Sequence, residues 1–589
     1  MKYRVFLLLV FLSISIAFGQ TAVHYSIAFP NRDHHEAEVE IMFTQIPGDV
    51  LHLHMSRSSP GRYALHEFAK NVYNVKAFDS KGKRLRVTRP NPHRWDVHGH
   101  DGTVKVSYTI FGDRCDGTYL AVDNTHAHIN MPATFMWAEG MTDQPVDITF
   151  HRPDPNWHIA TQLAPTDKPE TFTAPNLQYF MDSPTEVGPF EMRSWTLRQG
   201  EREVTFRLAL HHSGTDAELT AFADLIRTVV EEEIALFGEA PPYDYGTYTF
   251  IADYLPYVNG DGMEHRNSTI LTSTRTLRKQ AVRNLFTVAH EFFHAWNVER
   301  IRPRSLEPFD FDRANMSGEL WFAEGFTSYY DGLILKRAGL ISLDRFAEDL
   351  GRTLNQVLNA PGRKYFSPVE MSMQAPFADA AVSIDPKNQR NTFISYYPYG
   401  AALGLALDLT LRRRFPGKSL DDFMAAMWQA HGKPEQPYTL DDLRRTLGEA
   451  IGDQEFADDF FRRYVSGREL PDFKSLLAAA GFTLEKKNPD KAWLGSARLD
   501  FSKGKVGVRT TTQMGSPLYQ AGVDRKDSIL TLDGQELRTQ DDLDTLLAHH
   551  KPGDQVEIVF EKRGQRRQAK LTFQADPMLK VVPAEHKGA

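Results

Sequence analysis

The sequence has very little cysteine and no long run of basic residues. Cys115 is the single cysteine among 589 residues, and one thiol cannot form an intramolecular disulfide, so a disulfide-stapled fold is excluded. The chain carries 68 basic and 76 acidic residues, with a formal net charge of -8 at pH 7. This balance argues against nucleic acid or an anionic membrane as the main partner.

Long apolar runs are also scarce, with one exception at the N-terminus. Lys2 and Arg4 precede an apolar stretch over 5–18, and Ala17 and Gly19 are small residues where a signal peptidase reads. Residues 1–19 are therefore predicted to be a signal peptide. No later segment approaches the roughly 18 apolar residues of a membrane span, so we expect an exported mature form without one. A bacterial periplasm, or secretion, fits best.

The order of hydrophobic periods predicts a multidomain α+β protein. Short alternating runs broken by Pro, Gly, Asn and Asp indicate an all-β N-terminal domain over 20–210. A helical period begins near residue 215 and predicts a mainly helical domain over 211–485. Short strands return over 490–576. Residues 361–392 lack a clear period and are expected to form a long loop.

The chemistry is indicated by an H-E-x-x-H string set among apolar residues, His290-Glu291-Phe292-Phe293-His294. Residues i and i+4 share a helix face, so His290 and His294 can bind one metal ion, with Glu291 beside them. Hydrolytic zinc sites use three protein ligands and keep one position for water. Glu324 is the best third ligand, since it lies on a second predicted helix among aromatic residues, where a carboxylate without a cation would be costly. One zinc per chain is expected.

The C-terminal strands resemble a bacterial PDZ domain. The matching pieces are an S-P-x-x-x-A-G-V string over 516–523, a D-x-I-L-x-L-x-G run over 527–534 and the helix that follows. The resemblance implies binding of an extended peptide, often a C-terminus, with Trp493-Leu494-Gly495 resembling the carboxylate-binding loop. The alternative is an accessory cap that binds nothing.

The rest of the chain resembles the glycyl aminopeptidase family of gluzincin zinc metallopeptidases. Beyond H-E-x-x-H and the later E-G-F-T-x-x-Y helix, the resemblance rests on several strings: Pro60-Gly61-Arg62-Tyr63, Gly262-Met263-Glu264-His265, His294-Ala295-Trp296-Asn297 and Ser395-Tyr396-Tyr397. It implies a β-rich N-terminal domain, a thermolysin-like catalytic domain and a C-terminal PDZ domain. It covers nearly the whole mature chain.

The resemblance also implies roles for individual residues. Glu291 would act as general base on the zinc-bound water and pass the proton to the leaving amine. Glu264 would bind the free α-amino group of the substrate, with His265 and Gly262 as further substrate contacts. The sequence departs from the family at Gly260-Asp261-Gly262, where two glycines commonly precede the apolar residue. The resemblance therefore does not predict the shape of the first specificity pocket.

A tyrosine in a Tyr-x-x-Gly string stabilises the oxyanion in related enzymes, and the string here is Tyr397-Pro398-Tyr399-Gly400. Tyr397 is therefore the expected donor, with Tyr396 and Tyr399 as rivals.

Together these features predict an exported zinc aminopeptidase that removes small N-terminal residues, glycine or alanine, from peptides with a free N-terminus. Three alternatives stay open at this point. One is an aminopeptidase for larger residues, the second is a zinc endopeptidase regulated by its PDZ domain, and the third is a peptide-binding scaffold with an inert peptidase module. The scaffold is disfavoured because it has no need for Glu291 between two metal ligands.

Overall fold

The computed structural model describes residues 21–378, 388–502 and 505–584. The predicted signal peptide therefore lies outside the described residues. The three largest hydrophobic cores among the described residues follow one another along the chain, one in the N-terminal β region, one around the metal-motif helix and one in the C-terminal β region. The predicted multidomain α+β architecture is confirmed. Among the described residues there is no helix long and apolar enough to cross a membrane.

The N-terminal region is built from short strands with two short helices. In strands β1 and β2 of the seven-stranded sheet, β13-β14-β11-β1-β2-β7-β4, buried side chains alternate with more exposed ones, so one face packs into the core. Two four-stranded sheets, β10-β3-β6-β5 and β12-β15-β9-β8, complete the region. Its elements are β1 (Val23–Asn31), β2 (Glu36–Thr44), β3 (Val50–Met55), β4 (Val72–Phe78), β5 (Arg86–Asn91), β6 (Arg94–His98), β7 (Thr103–Phe111), β8 (Ala121–Val122), β9 (Ala127–Ile129), α1 (Met131–Thr134), β10 (Met136–Ala138), β11 (Val146–Phe150), β12 (His158–Thr161), β13 (Ala164–Pro165), β14 (Thr171–Ala174), α2 (Leu177–Met181) and β15 (Thr185–Gly188).

The middle region combines a five-stranded sheet, β16-β17-β18-β20-β19, with helices packed against it. Strand β19 is an edge strand, antiparallel to β20. Its elements are β16 (Glu191–Gln199), β17 (Arg202–His212), α3 (Asp216–Phe237), β18 (Thr247–Tyr254), β19 (Asp261–His265), β20 (Ser268–Thr272), α4 (Leu277–Phe293), α5 (Leu320–Ala323), α6 (Gly325–Arg337), α7 (Leu343–Leu358), α8 (Pro368–Ser372), α9 (Ala375–Ala378), α10 (Gln389–Thr392), α11 (Tyr396–Arg414), α12 (Leu420–Met427), α13 (Leu440–Ile451), α14 (Gln454–Phe460) and α15 (Phe473–Ala479).

Local sequence explains where several of these helices begin and end. Thr215 caps α3 in a reciprocal capping box, and Gly238 ends it with a φ of 81°, in the left-handed region that glycine tolerates. The predicted domain ranges stay a prediction. Strands β16 and β17 lie mostly before residue 211, yet they pair within the five-stranded sheet of the middle region, which is called the catalytic sheet below. The expectation of a long loop over 361–392 is wrong in part, because the short helices α8, α9 and α10 lie in it, and residues 379–387 are outside the described residues.

The C-terminal region is a small sheet, β23-β24-β25-β26-β27, closed by one longer helix. It is tied to the middle region through α7, where Asn355 Nδ2 donates to the Leu579 carbonyl at 2.7 Å. Its elements are β21 (Phe482–Lys486), β22 (Ala492–Trp493), β23 (Leu499–Asp500), β24 (Val506–Val508), α16 (Pro517–Gln520), β25 (Ser528–Leu532), α17 (Gln540–Ala548), β26 (Gln555–Lys562), β27 (Gln565–Thr572), β28 (Gln574–Ala575) and β29 (Leu579–Pro583).

Candidate active site

The two histidines of the H-E-x-x-H string meet Glu324 as expected from the sequence. His290 Nε2 lies 3.5 Å and His294 Nε2 lies 3.4 Å from Glu324 Oε2. His290 is near the end of α4, and His294 is its C-terminal cap. Glu324 lies at the junction of α5 and α6, which breaks the single helix predicted there.

The donor set and its spacing fit a zinc ion. Ligand atoms about 2.1 Å from a tetrahedral ion lie about 3.4 Å apart, close to the two measured separations. Both other ring nitrogens face acceptors: His290 Nδ1 lies 3.6 Å from Asp331 Oδ2, and His294 Nδ1 donates to the carbonyl of Asn297. Outer contacts of this kind fix the tautomer that leaves Nε2 for the metal. Two imidazoles and one carboxylate, with a fourth position left over, are the ligand set of a hydrolytic site.

Tyr63, from the N-terminal region, completes the surroundings of the metal ligands. Its hydroxyl donates to Glu324 Oε1 at 2.5 Å, while Oε2 of the same carboxylate faces the histidines. In the sequence, Tyr63 belongs to a string that resembles the family, but no role is predicted for it, because no sequence spacing connects it to Glu324. Asp331 was also missed. Its position two turns after Glu324 on the same helix face is the signal that could have found it.

Asn297 holds the motif helix against the Glu324 junction. Its side-chain amide donates to the carbonyls of Phe322 and Ala323 at 3.3 and 3.2 Å, and to Thr327 Oγ1 at 3.2 Å. The segment after His294 and the segment around Glu324 are therefore fixed to each other by buried hydrogen bonds, which stabilises the geometry of the three ligands.

The carboxylates of Glu291 and Glu264 lie beside His294. The ligand atoms of Glu264, Glu291 and His294 are all within 4.8 Å of one another, and all three residues are buried. Burial raises the pKa of both glutamates, and the nearby carboxylates raise it further. The neighbouring histidines act in the opposite direction. Burial acts to lower the pKa of His294, but Glu324 and Glu264 outweigh it and raise the pKa to about 9 in the metal-free protein.

Strand β19 fits closely around these groups. A Cβ at Gly262 would lie 2.1 Å from Glu291 Oε1, so only glycine leaves room for the general-base candidate. A Cβ at Gly61, from the N-terminal region, would lie 2.1 Å from Met263 Sδ and 3.0 Å from Glu264 Oε2. The N-terminal region thus forms part of the wall around Glu264.

His265 is held away from Glu264. Its Nδ1 lies 2.9 Å from Asp182 Oδ1, and adjacent strand residues point to opposite faces. A substrate contact by His265 stays a prediction.

The three candidate tyrosines differ in position. The Tyr397 ring lies 6.0 Å from the His290 ring and is partly exposed at the first turn of α11. Tyr396 is buried and lies edge-on to Tyr63, with ring centroids 6.0 Å apart. Tyr399 is buried in the main core of the catalytic region. Of the three, Tyr397 combines nearness to a metal ligand with access for a substrate.

Three family models match the chain. The Peptidase M61 N-terminal domain matches residues 24–189, M61 glycyl aminopeptidase matches residues 283–403, and the PDZ domain matches residues 481–573. No curated protein matches.

Two solved structures give the fold comparison. An aminopeptidase N family protein from Idiomarina loihiensis is 24% identical over 95% of this chain and 98% of its own, with a TM-score of 0.83. An M1 zinc metallopeptidase from Deinococcus radiodurans is 15% identical over 77% of this chain and 96% of its own, with a TM-score of 0.44. The first shows that the overall fold is shared. The consecutive family matches agree with the resemblance predicted from the motifs: this chain carries an M61 N-terminal domain, an M61 glycyl aminopeptidase domain and a PDZ domain, and it is a zinc metallopeptidase.

Proposed function

We propose that this zinc aminopeptidase is exported and removes small N-terminal residues, glycine or alanine, from peptides. The observation that carries the proposal is the buried carboxylate of Glu264 on the edge strand β19, beside Glu291 and His294. A buried carboxylate at the end of a substrate cleft attracts a cation, and the α-ammonium of a peptide supplies one. A blocked N-terminus would leave Glu264 unpaired, which explains selectivity for free N-termini.

The substrate backbone is expected to pair with β19. An edge strand offers unpaired N–H and C=O groups to an extended peptide, and the substrate would add to the sheet as a further strand. Glu264 then sets the register, since the α-ammonium bound to it fixes which peptide bond reaches Glu291.

His290, His294 and Glu324 would hold one zinc, which would supply Lewis acidity to polarise the scissile carbonyl and lower the pKa of water. Glu291 takes the proton from the attacking water and delivers it to the leaving amine. Burial raises the pKa of Glu291, so its carboxylate accepts a proton more readily than a solvated glutamate does. The Tyr397 hydroxyl donates to the oxygen that gains negative charge.

The preference for small residues is supported by crowding around Glu264. The rings of Tyr63 and Tyr396 are buried close by, and the loop at Gly61 lies against the Glu264 carboxylate. We therefore expect little space for a large first side chain.

At the PDZ domain we expect a peptide C-terminus as ligand. A groove of about 220 Å³ lies between Trp493-Leu494-Gly495 and α17, with Leu518, Leu543 and Leu547 among its lining residues. Export is supported by the sequence of residues 1–19 alone.

The test uses the chain from residue 20 onward. Hydrolysis of glycyl, alanyl and leucyl chromogenic amides is measured beside an N-acetyl-alanyl amide, with Glu291→Gln as the blank. We expect rapid release from the free glycyl and alanyl substrates and at least about a 100-fold loss in the blank. Faster leucyl release would contradict the preference for small residues. Cleavage of the acetylated substrate would support the endopeptidase alternative, and no release from any substrate would support the scaffold.

A further inference from the structure

A second group of buried histidines and acids lies between the N-terminal region and the catalytic sheet. It consists of His126, just before β9, Glu186 in β15, His211 in β17 and Asp253 in β18. One ligand atom from each of the four lies within 4.8 Å of all the others. The side chains of His126, Glu186 and Asp253 are at most 1% exposed, and that of His211 is 14% exposed.

Each of these residues directs an unpartnered polar atom into the group. His126 Nε2, Glu186 Oε1, His211 Nδ1 and Asp253 Oδ1 are buried and have no hydrogen-bond partner in the described part of the chain. A buried polar atom without a partner costs about 1–3 kcal/mol, and more when it is charged. Four such atoms at one place therefore indicate a missing ligand that all four bind.

The other oxygen of each carboxylate is held by His128. His128 Nδ1 lies 3.0 Å from Asp253 Oδ2 and 3.1 Å from Glu186 Oε2. Its Nε2 lies 2.9 Å from the carbonyl oxygen of Asp116. All these partners are acceptors, so both ring nitrogens of His128 carry a proton and the ring is an imidazolium.

His126 is oriented in the same way, because its Nδ1 lies 2.9 Å from Thr125 Oγ1 and only Nε2 points into the group. In His126, Glu186 and Asp253, one polar atom of the side chain makes a hydrogen bond that positions the other polar atom to face the group. His211 is the exception. Such outer contacts are what orient ligands at protein metal sites.

Charge and spacing both suit a divalent ion. As ligands, the buried carboxylates of Glu186 and Asp253 would supply two negative charges, which a divalent ion offsets. His211 Nδ1 lies 3.7 Å from Asp253 Oδ1, near the separation of about 3.4 Å between ligands of a tetrahedral ion. We propose that His126, Glu186, His211 and Asp253 bind a second zinc ion, distinct from the catalytic one.

The donor types determine the ion and its role. Two imidazoles favour zinc over calcium or magnesium, which prefer oxygen ligands. Four protein donors leave no position for water, so the site is structural. A competing set of Cys115, His128 and Asp253 is ruled out because His128 has no free lone pair. Burial also raises the pKa of the Cys115 thiol, which donates to Asp253 Oδ2 at 3.5 Å.

The second zinc would join the N-terminal region to the catalytic sheet, and both contribute residues to the candidate active site. Two ligands come from the N-terminal region and two from β17 and β18. Strand β18 pairs with β20, and β20 pairs with β19, which carries Gly262 and Glu264. The loop after Cys115 reaches β19 as well, since the Gly117 amide donates to Asp261 Oδ2 at 3.1 Å. The ion would therefore stabilise the position of the N-terminal wall against the substrate strand.

The test counts zinc in purified protein by mass spectrometry and does not depend on activity. We expect two zinc ions per wild-type chain and one in the variant His290→Ala/Glu324→Gln, whose catalytic site is removed. His126→Ala/His211→Ala should also retain one. His212→Ala is the matched control on the neighbouring position of β17, and it should retain two. A wild-type content of one together with none in His290→Ala/Glu324→Gln would overturn the proposal.

A second measurement covers the case in which His126→Ala/His211→Ala does not fold. Zinc is titrated into metal-free His290→Ala/Glu324→Gln while the Tm is followed. A rise in Tm that saturates at one equivalent supports the second site, and an unchanged Tm with no bound zinc overturns it. Neither result depends on the aminopeptidase assignment, because this variant lacks the catalytic zinc.

Discussion

Replacing Tyr63 by phenylalanine should weaken zinc binding without touching a metal ligand. The Tyr63 hydroxyl donates to Glu324 Oε1 at 2.5 Å, and this contact leaves Oε2 directed at His290 and His294. Without the hydroxyl, Glu324 loses a partner in a buried site and is free to rotate away from the histidines. Tyr63 acts here as a positioning residue.

The magnitude follows from the kind of hydrogen bond that is lost. A hydrogen bond to a charged group contributes about 1.5–3 kcal/mol. With 1.4 kcal/mol for each factor of ten, this corresponds to a fall in zinc affinity of about 10- to 100-fold. Loss of an outer contact to a metal ligand costs a similar factor in other metal sites.

The assay is competition for zinc with a chromophoric chelator. Tyr438→Phe is the matched control, since Tyr438 is fully buried and its hydroxyl has no hydrogen-bond partner among the described residues. We expect Tyr438→Phe to bind zinc like the wild type. If Tyr63→Phe also matches the wild type within about twofold, the role given to Tyr63 is refuted.

Three further predictions concern the same site. Gly262→Ala should abolish activity while zinc is retained, because its Cβ would displace Glu291. Gly260→Ala is the control and should stay active, since the nearest atom to its Cβ would lie 3.9 Å away. Equal activity of the two variants would contradict the packing argument. Tyr397→Phe should lower kcat by about 10²- to 10³-fold with little change in KM, and an unchanged kcat would move the oxyanion role elsewhere. In the metal-free protein the pKa of His294 is raised from 6.5 to about 9, so its contribution to stability is complete below pH 6.5 and is lost as the pH rises through 9. Zinc binding at pH 7 should therefore release protons. Calorimetry in buffers of different ionisation enthalpy measures this release, since the heat of zinc binding then differs between buffers. The same heat in every buffer would contradict the prediction.

The sequence singled out three residues that the structure brings together at the candidate metal site, and local rules explain why. His290 and His294 share a helix face by spacing alone, and Glu324 was singled out by the aromatic residues around it. The starts of helices α12 and α13 follow the same kind of rule, since Ser419 and Thr439 each form a capping box. Such signals depend on neighbours within a few residues.

Contacts between distant parts of the chain could not be predicted in this way. Tyr63 reaches Glu324 from another domain, and no spacing in the sequence connects the two. His126, Glu186, His211 and Asp253 are single residues on different elements, and each one alone resembles an ordinary core or surface residue. Only the packing of the N-terminal region on the catalytic sheet brings them together.

The most direct test of the aminopeptidase account compares free and N-acetylated alanyl chromogenic amides in the wild type and in Glu264→Gln. If Glu264 binds the α-ammonium group, the wild type cleaves the free substrate alone, and Glu264→Gln loses at least about 30-fold in kcat/KM on that substrate while its zinc content is unchanged. Equal cleavage of both substrates by the wild type, or an unchanged kcat/KM in Glu264→Gln, would contradict the account.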